Sequence, residues 1–399
     1  MPQINNTTRL PYLEGLRGCA ALCVLFEHTY QAMRYWSRAN VFPGKLTALM
    51  GIFNVGQLPV DIFIVLSGYC LMLPVANSPS GGLRGGVWKY LQRRAWRILP
   101  PYYCAILMSL LILICLAALE LRLPNILHSA DFHADVLLSH LLVIHNLRPE
   151  WIHGVNGPMW SVATEWQIYF LFPLLLLPVW RRYGILAAVV SGFAVGMAPH
   201  WLFHGFLDAA FPWFIGLFAL GMAGATINYS EDKRVAALRS RIMWGPTSLA
   251  LWVAAIGFCV AKRGWYAHHQ MFVDPIIGLG TMSLLIQCTN QVKDCRGAAL
   301  PIVARFLSSP QVVWIGTFSY SLYLMHYPML QLSHALVIRI PAGGAVKFLA
   351  LIISLPAILV ACFGFHLLFE RHFMSGLPET WRNRGTHQPF PRNSASTTP

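Results

Sequence analysis

Residues 98–119 read ILPPYYCAILMSLLILICLAAL, 22 residues without one charged side chain. At about 1.5 Å per helical residue the stretch is about 33 Å long, enough to cross a hydrocarbon core about 30 Å thick. It has no polar face to turn toward water, so it predicts a membrane span. Apolar blocks of similar length recur at 12–33, 52–76, 158–180, 183–201, 208–227, 243–261, 271–289, 311–333 and 347–369, giving ten predicted spans. The chain of 399 residues is 56% hydrophobic and only 11% charged, outside the range of soluble domains. The expected fold class is all-α, a polytopic membrane helix bundle of about ten transmembrane helices.

The net charge of +14 is first a question of loop placement, and it predicts no nucleic-acid partner. With ten spans, 19 of the 29 Lys and Arg residues fall on one side and nine on the other, while Arg17 lies inside the first span. Cytoplasmic loops are enriched in Lys and Arg, so both termini are expected in the cytoplasm. The polar opening MPQINNTTRL is expected to be mature protein rather than a removable signal. The expected organisation is a cytoplasmic N-terminus at 1–11, a transmembrane domain at 12–370 and a disordered cytoplasmic tail at 371–399. The nine cysteines show no C-x-x-C spacing and are expected to be packing residues. The longest far-side loop, about 120–157, holds His128, Asp131, His133, Asp135, His145, Glu150 and His153 around LLSHLLVIHNL (137–147). A re-entrant or interfacial helix is expected there, with scattered histidines and no metal site.

An ionisable group at the centre of a span costs at least about 2.5 kcal/mol on insertion scales, so each one is a functional candidate. Arg17 and His28 are eleven residues apart, which puts them within about 20° of one helix face and about 16 Å apart along the axis. Glu27 points about 100° away from His28 and has no assigned role. VDIFIVLSGY (60–69) holds Asp61, Ser67 and Tyr69. WKYLQRRAWRILPPYY (88–103) holds Arg93, Arg94 and Arg97. This stretch is expected to end the loop 77–97, with Pro100 and Pro101 in the first turn of the next span. Guanidinium forks match phosphate oxygens bidentately, although a basic loop also suits anionic lipid. PMWSVATEWQIYF (158–170) holds Trp160, Ser161, Glu165 and Tyr169, and a buried Glu165 needs a partner such as a histidine or an arginine. GTFSYSLYLMHYPM (316–329) aligns Ser319, Tyr323 and His326 at helical spacing. A polar track of this kind fits the substrate path of a secondary transporter or flippase as well as an enzyme.

Five motifs carry a resemblance. R-x10-H at Arg17 and His28, VDIFIVLSGY at 60–69, RRAWRILPPYY at 93–103, WSVATEWQIY at 160–169 and FSYSLYLMHYP at 318–328 together resemble the acyltransferase 3 family of integral membrane acyltransferases, in order and in spacing. The resemblance implies transfer of an acyl group, often acetyl, from acyl-CoA to a hydroxyl of a carbohydrate or other small acceptor, with the bilayer as surroundings. It implies His28 as the catalytic residue, Arg17 and Glu165 as its associates, and Arg94 and Arg97 as cofactor ligands with Arg93 beside them. Trp166 stands where many members carry a second acidic residue, so no role transfers to that position. The chemistry expected is general base catalysis by a neutral imidazole oriented by Glu165 or Tyr169, or an acyl-histidine intermediate.

Overall fold

The computed structural model describes residues 10–38, 45, 49–55, 57–78, 81–119, 133–266, 269–295 and 300–374. The expected disordered tail therefore lies outside the described residues except for 371–374, which are helical, and residues 1–9, His128 and Asp131 also lie outside them. Among the described residues eight helices are long and apolar enough to cross a membrane. The protein is a multi-pass membrane helix bundle.

In chain order the helices are α1 (Pro11–Arg38), α2 (Leu58–Ala76), α3 (Gly86–Ala118), α4 (Ala134–Leu141), α5 (Gly157–Tyr183) and α6 (Ile185–Leu202). There follow α7 (Phe214–Tyr229), α8 (Lys233–Arg241), α9 (Trp244–Ala261), α10 (Gln270–Asp294), α11 (Ile302–Leu307), α12 (Pro310–Thr317), α13 (Ser319–Val337) and α14 (Gly344–Phe365). Neither α1, at 28 residues, nor α13, at 19, is among the eight. Both are long enough, but each spends part of its length on polar side chains, and those side chains build the site described below.

The middle of the bundle is set by α7, in which every residue from Phe214 to Asn228 is buried. A helix apolar on all sides is stable only when other helices surround it. By contrast α6, α9 and α14 bury few of their apolar residues and present the remainder outward, as lipid-facing helices do. Close approach is secured by glycine. A side-chain carbon on Gly68 of α2 would stand 2.0 Å from the Phe218 carbonyl oxygen of α7, and one on Gly221 would stand 2.0 Å from the Val65 oxygen. Backbone contact of this sort supplies the packing energy that the hydrophobic effect cannot supply within lipid. On the other flank of α1, carbons on Gly15 and Gly316 would overlap the Leu307 and Glu14 carbonyl oxygens at 1.8 and 1.9 Å, so α1 is clamped against the segment 307–316.

Two sequence expectations are corrected. The basic stretch before residue 98 is not a loop, because α3 begins at Gly86 and runs through Pro100 and Pro101 without a break. Its 33 residues make about 50 Å of helix, and the prolines remove only their own two N–H donors while their fixed φ stays helical. The block 311–333 is not one span, since α12 ends at Thr317 and α13 starts at Ser319. Phe318 leaves helical geometry between them and buries its ring 5.3 Å from that of Phe363.

The loop at 120–157 does contain a helix, α4, which a further turn at His145–Leu147 follows before the first turn of α5 at Gly157–Met159. Asn146 donates to Thr164 at 3.0 Å, and Asn156 donates to the Leu324 carbonyl at 2.8 Å. His140 and His145 are fully buried and stack with ring centroids 4.0 Å apart.

Candidate active site

A cavity of about 350 Å³ opens among α1, α2, α3, α5, α12, α13 and the turn that follows α14. Three arginines reach it. Arg17 donates to Glu14 at 2.7 Å and to the Cys70 sulfur at 3.2 Å. Arg94 and Arg97 stand one helical turn apart on α3, and both line the cavity. Among the described residues neither has a carboxylate within ion-pair distance, and the buried Nε of Arg94 has no hydrogen-bond partner. An unsatisfied guanidinium donor in a cavity is a ready acceptor of an anion. Arg93 turns away and donates to the Arg84 carbonyl at 2.9 Å, outside the cavity lining.

On the facing wall Glu165 accepts from Tyr169 at 2.5 Å, and the Tyr169 hydroxyl is within 2.9 Å of Ser67 Oγ. The expected arginine or histidine partner of Glu165 is thus replaced by a tyrosine one turn along the same helix. Deeper in, Ser161 Oγ lies 2.5 Å from the Tyr323 hydroxyl, which donates to the Pro158 carbonyl at 2.8 Å. Tyr323 is therefore held rigidly, with Phe63 edge-on to it at 5.9 Å. Both rings line the cavity.

His28 does not line the cavity, and its neighbour His326 stands with its ring centroid 5.9 Å from that of Tyr323, which does. Its Nδ1 is 2.9 Å from the Val24 carbonyl and 3.2 Å from Nε2 of His326, whose own Nδ1 faces the carbonyls of Leu322 and Tyr323 at 3.0 and 2.8 Å. His326 is buried while His28 is partly exposed. Neither Glu165 nor Tyr169 touches His28, so the expectation that one of them orients the imidazole is corrected: their bonds are spent on each other and on Ser67.

Three further candidates stand elsewhere. Asp61 is fully buried, with neither carboxylate oxygen hydrogen-bonded among the described residues, on the face of α2 that packs toward Asp274 of α10 rather than on the cavity. Tyr69 ties α2 to α10 and α7 through Thr289 at 2.6 Å and Asn228 at 2.8 Å. Trp160 stacks on Phe211 at 4.2 Å. Glu27 is buried and accepts from Gln31 at 3.1 Å.

Sequence reasoning passed over Glu14 and Glu370. Both line the cavity beside the arginines. Glu370 accepts from His366 at 2.8 Å and from the Ser321 hydroxyl at 2.5 Å, and a widened helical turn over His366–Glu370 carries it inward. The i, i+4 spacing of His366 and Glu370 was the available signal, and its position at the edge of the last apolar block concealed it.

Comparison with known proteins bears on what this arrangement is for. The acyltransferase domain family Acyl_transf_3 matches residues 10–368. The chain belongs to the acyltransferase 3 family. It is a membrane acyltransferase, which decides between the enzyme and the transporter that a polar track alone leaves open. Acyltransferase MdmB of Streptomyces mycarofaciens is 28% identical over 355 residues, covering 83% of this chain and 82% of MdmB. Peptidoglycan O-acetyltransferase OatA of Listeria monocytogenes is 21% identical over 368 residues, covering 83% of this chain and 51% of OatA. The acyltransferase 3 chain thus spans most of one relative and about half of the other. No solved structure matches it.

Proposed function

We propose that this acyltransferase 3 protein moves an acyl group, acetyl in the first instance, from acyl-CoA to a hydroxyl of a carbohydrate or other small acceptor, with His28 as general base. The observation that carries the proposal is the cavity lined by Arg17, Arg94 and Arg97, two of which have no carboxylate partner among the described residues. Coenzyme A carries phosphates at one end and the thioester at the other. Guanidinium forks of Arg94 and Arg97 hold the phosphates, and Arg17, fixed by Glu14, stands further in. On the same proposal α1 and α13 join the eight apolar helices as spans, which makes ten. Both termini and the arginine end of the cavity then face the cytoplasm, and the reacting thioester meets His28 past Phe63 and Tyr323. The distance from Arg17 to His28 along α1, about 16 Å, is the depth the donor's arm has to cover.

In the reaction the acceptor hydroxyl gives its proton to the free imidazole nitrogen of His28 as its oxygen attacks the thioester carbonyl. The carbon–sulfur bond breaks, and the imidazolium returns the proton to the departing thiolate. The acyl group leaves on the acceptor as an ester. The name of OatA, an O-acetyltransferase, supports a hydroxyl as the receiving group.

The test is incorporation of labelled acetyl from acetyl-CoA into membranes that contain the protein, counted as label released by hydroxylamine, the reagent that cleaves O-esters. Wild type incorporates label above membranes lacking the protein, and His28→Ala does not, although it elutes as folded protein. Equal labelling by His28→Ala overturns the base assignment.

A further inference from the structure

The base assignment leaves open what orients His28, and the hydrogen bonds of the site answer it. We infer that His326 is the positioning residue of His28, its Nε2 accepting the proton that His28 carries on Nδ1. This rests on the reading of His28 as the base and adds to it a second residue with a defined task.

The assignment follows from what each atom can do. Carbonyl oxygens only accept, so Nδ1 of His326, 3.0 and 2.8 Å from the carbonyls of Leu322 and Tyr323, must carry hydrogen. A neutral imidazole has one N–H, which leaves Nε2 of His326 with a lone pair. That lone pair lies 3.2 Å from Nδ1 of His28. Nδ1 of His28 is also 2.9 Å from the Val24 carbonyl, so it too carries hydrogen and shares it in a three-centre bond. The reverse assignment would set a lone pair of His28 against the Val24 oxygen. With both rings neutral only one arrangement satisfies all four contacts, and in it Nε2 of His28 is bare and free to take a proton.

The two rings are tilted by 51° with centroids 5.1 Å apart, so they are joined edge to edge rather than stacked. Tyr327 closes the side of His28 with its ring at 79° and 5.4 Å. When His28 takes the acceptor's proton, the positive charge extends to Nδ1–H, and the two acceptors already in place there stabilise it without rearrangement. His326 cannot itself serve as the base, because its only lone pair is engaged by His28 and its ring is buried.

Substitutions that mimic one nitrogen at a time provide the test. In His326→Gln the amide oxygen can take the place of Nε2 and still accept from His28. His326→Asn is shorter and reaches only the place of Nδ1. Hydroxylamine-labile labelling from acetyl-CoA is measured with membranes of wild type and each variant over a range of acetyl-CoA concentrations. His326→Gln should stay within several-fold of wild type, and His326→Asn should lose about 100-fold in maximal rate with the KM for acetyl-CoA unchanged. Equal loss in both variants, or loss in neither, overturns the inference while His28→Ala remains inactive. An active His28→Ala overturns the base reading instead. A measurement on wild type needs no variant to fold: nitrogen NMR of labelled imidazoles should show His28 protonated at Nδ1 and bare at Nε2, and the opposite tautomer refutes the pairing.

Discussion

The arginine cavity and the histidine pair lie within one helix bundle and are built on opposite plans. In the cavity, charged donors are left unsatisfied: Arg94 keeps a buried Nε with no partner, and Arg94 and Arg97 meet no carboxylate among the described residues. At His28 and His326 the three nitrogens that touch a neighbour are all matched, and only one edge of His28 remains free. Open charge suits an anionic ligand that arrives and leaves, because its own charge completes the site on binding; on the proposed function these are the phosphates of acyl-CoA. A fully matched imidazole suits a proton transfer, because its tautomer must already be correct when the substrate arrives.

The largest effect should come at the matched end. Loss of the imidazole in His28→Ala should lower the transfer rate by about 10²- to 10⁴-fold and leave acetyl-CoA binding unchanged, measured by equilibrium binding of labelled acetyl-CoA. Weaker binding in that variant would merge the two regions into one. The open end should respond in the opposite way: Arg94→Ala and Arg97→Ala should each raise the KM for acetyl-CoA about tenfold or more, since a charge-assisted bond contributes about 1.5–3 kcal/mol. If they lower the maximal rate alone, the cavity is not where the donor's phosphates bind. Gly68→Ala touches neither region directly, yet its added carbon meets the Phe218 carbonyl. It should cost about 1–3 kcal/mol, read as a lower melting temperature in detergent. An unchanged melting temperature would mean that α2 and α7 are free to part.

The last effect concerns the segment 133–159, tied to α13 by Asn156. Burial pushes His140 down to about 4, and burial with the neighbouring His140 holds His145 well below the usual histidine range. Both are neutral when folded, whereas the unfolded segment takes up protons near pH 6.5. Stability is therefore complete above about pH 6.5 and declines as pH falls toward about 4, by about 1.4 kcal/mol per unit for each group. Proteolytic cleavage within 133–159 should accelerate at pH 5 relative to pH 7.5. A pH-independent rate would show that the stacked pair does not hold the segment closed.

Much of this is legible in the sequence. The apolar blocks place the helices because lipid admits no unsatisfied backbone. Helical periodicity puts Arg17 and His28 on one face of α1, and the basic stretch at 93–97 does supply two cavity residues. The errors have local causes. The charge before residue 98 suggests a loop, yet α3 starts at Gly86 because arginine is a good helix former. Asp61, Tyr69 and Trp160 group with the site in the sequence but not in the fold, because polarity within a span marks an interior face without saying which interior. Glu370 gives no such signal, because the turn that carries it inward is wider than the α-helical repeat on which face assignments depend.

The sequence by itself determined that this is a membrane bundle, which side chains are too polar for lipid, and which of them share a face of one helix. Only the tertiary structure decided that His28 meets His326, 298 residues away, and that Arg17, Arg94, Arg97 and Glu165 from three helices line one cavity that leaves His28 out. Periodicity fixes the angle of a residue around its own axis. Which axis lies alongside is set by close backbone contacts such as those of Gly15, Gly68, Gly221 and Gly316, and these act between residues that the chain itself keeps far apart.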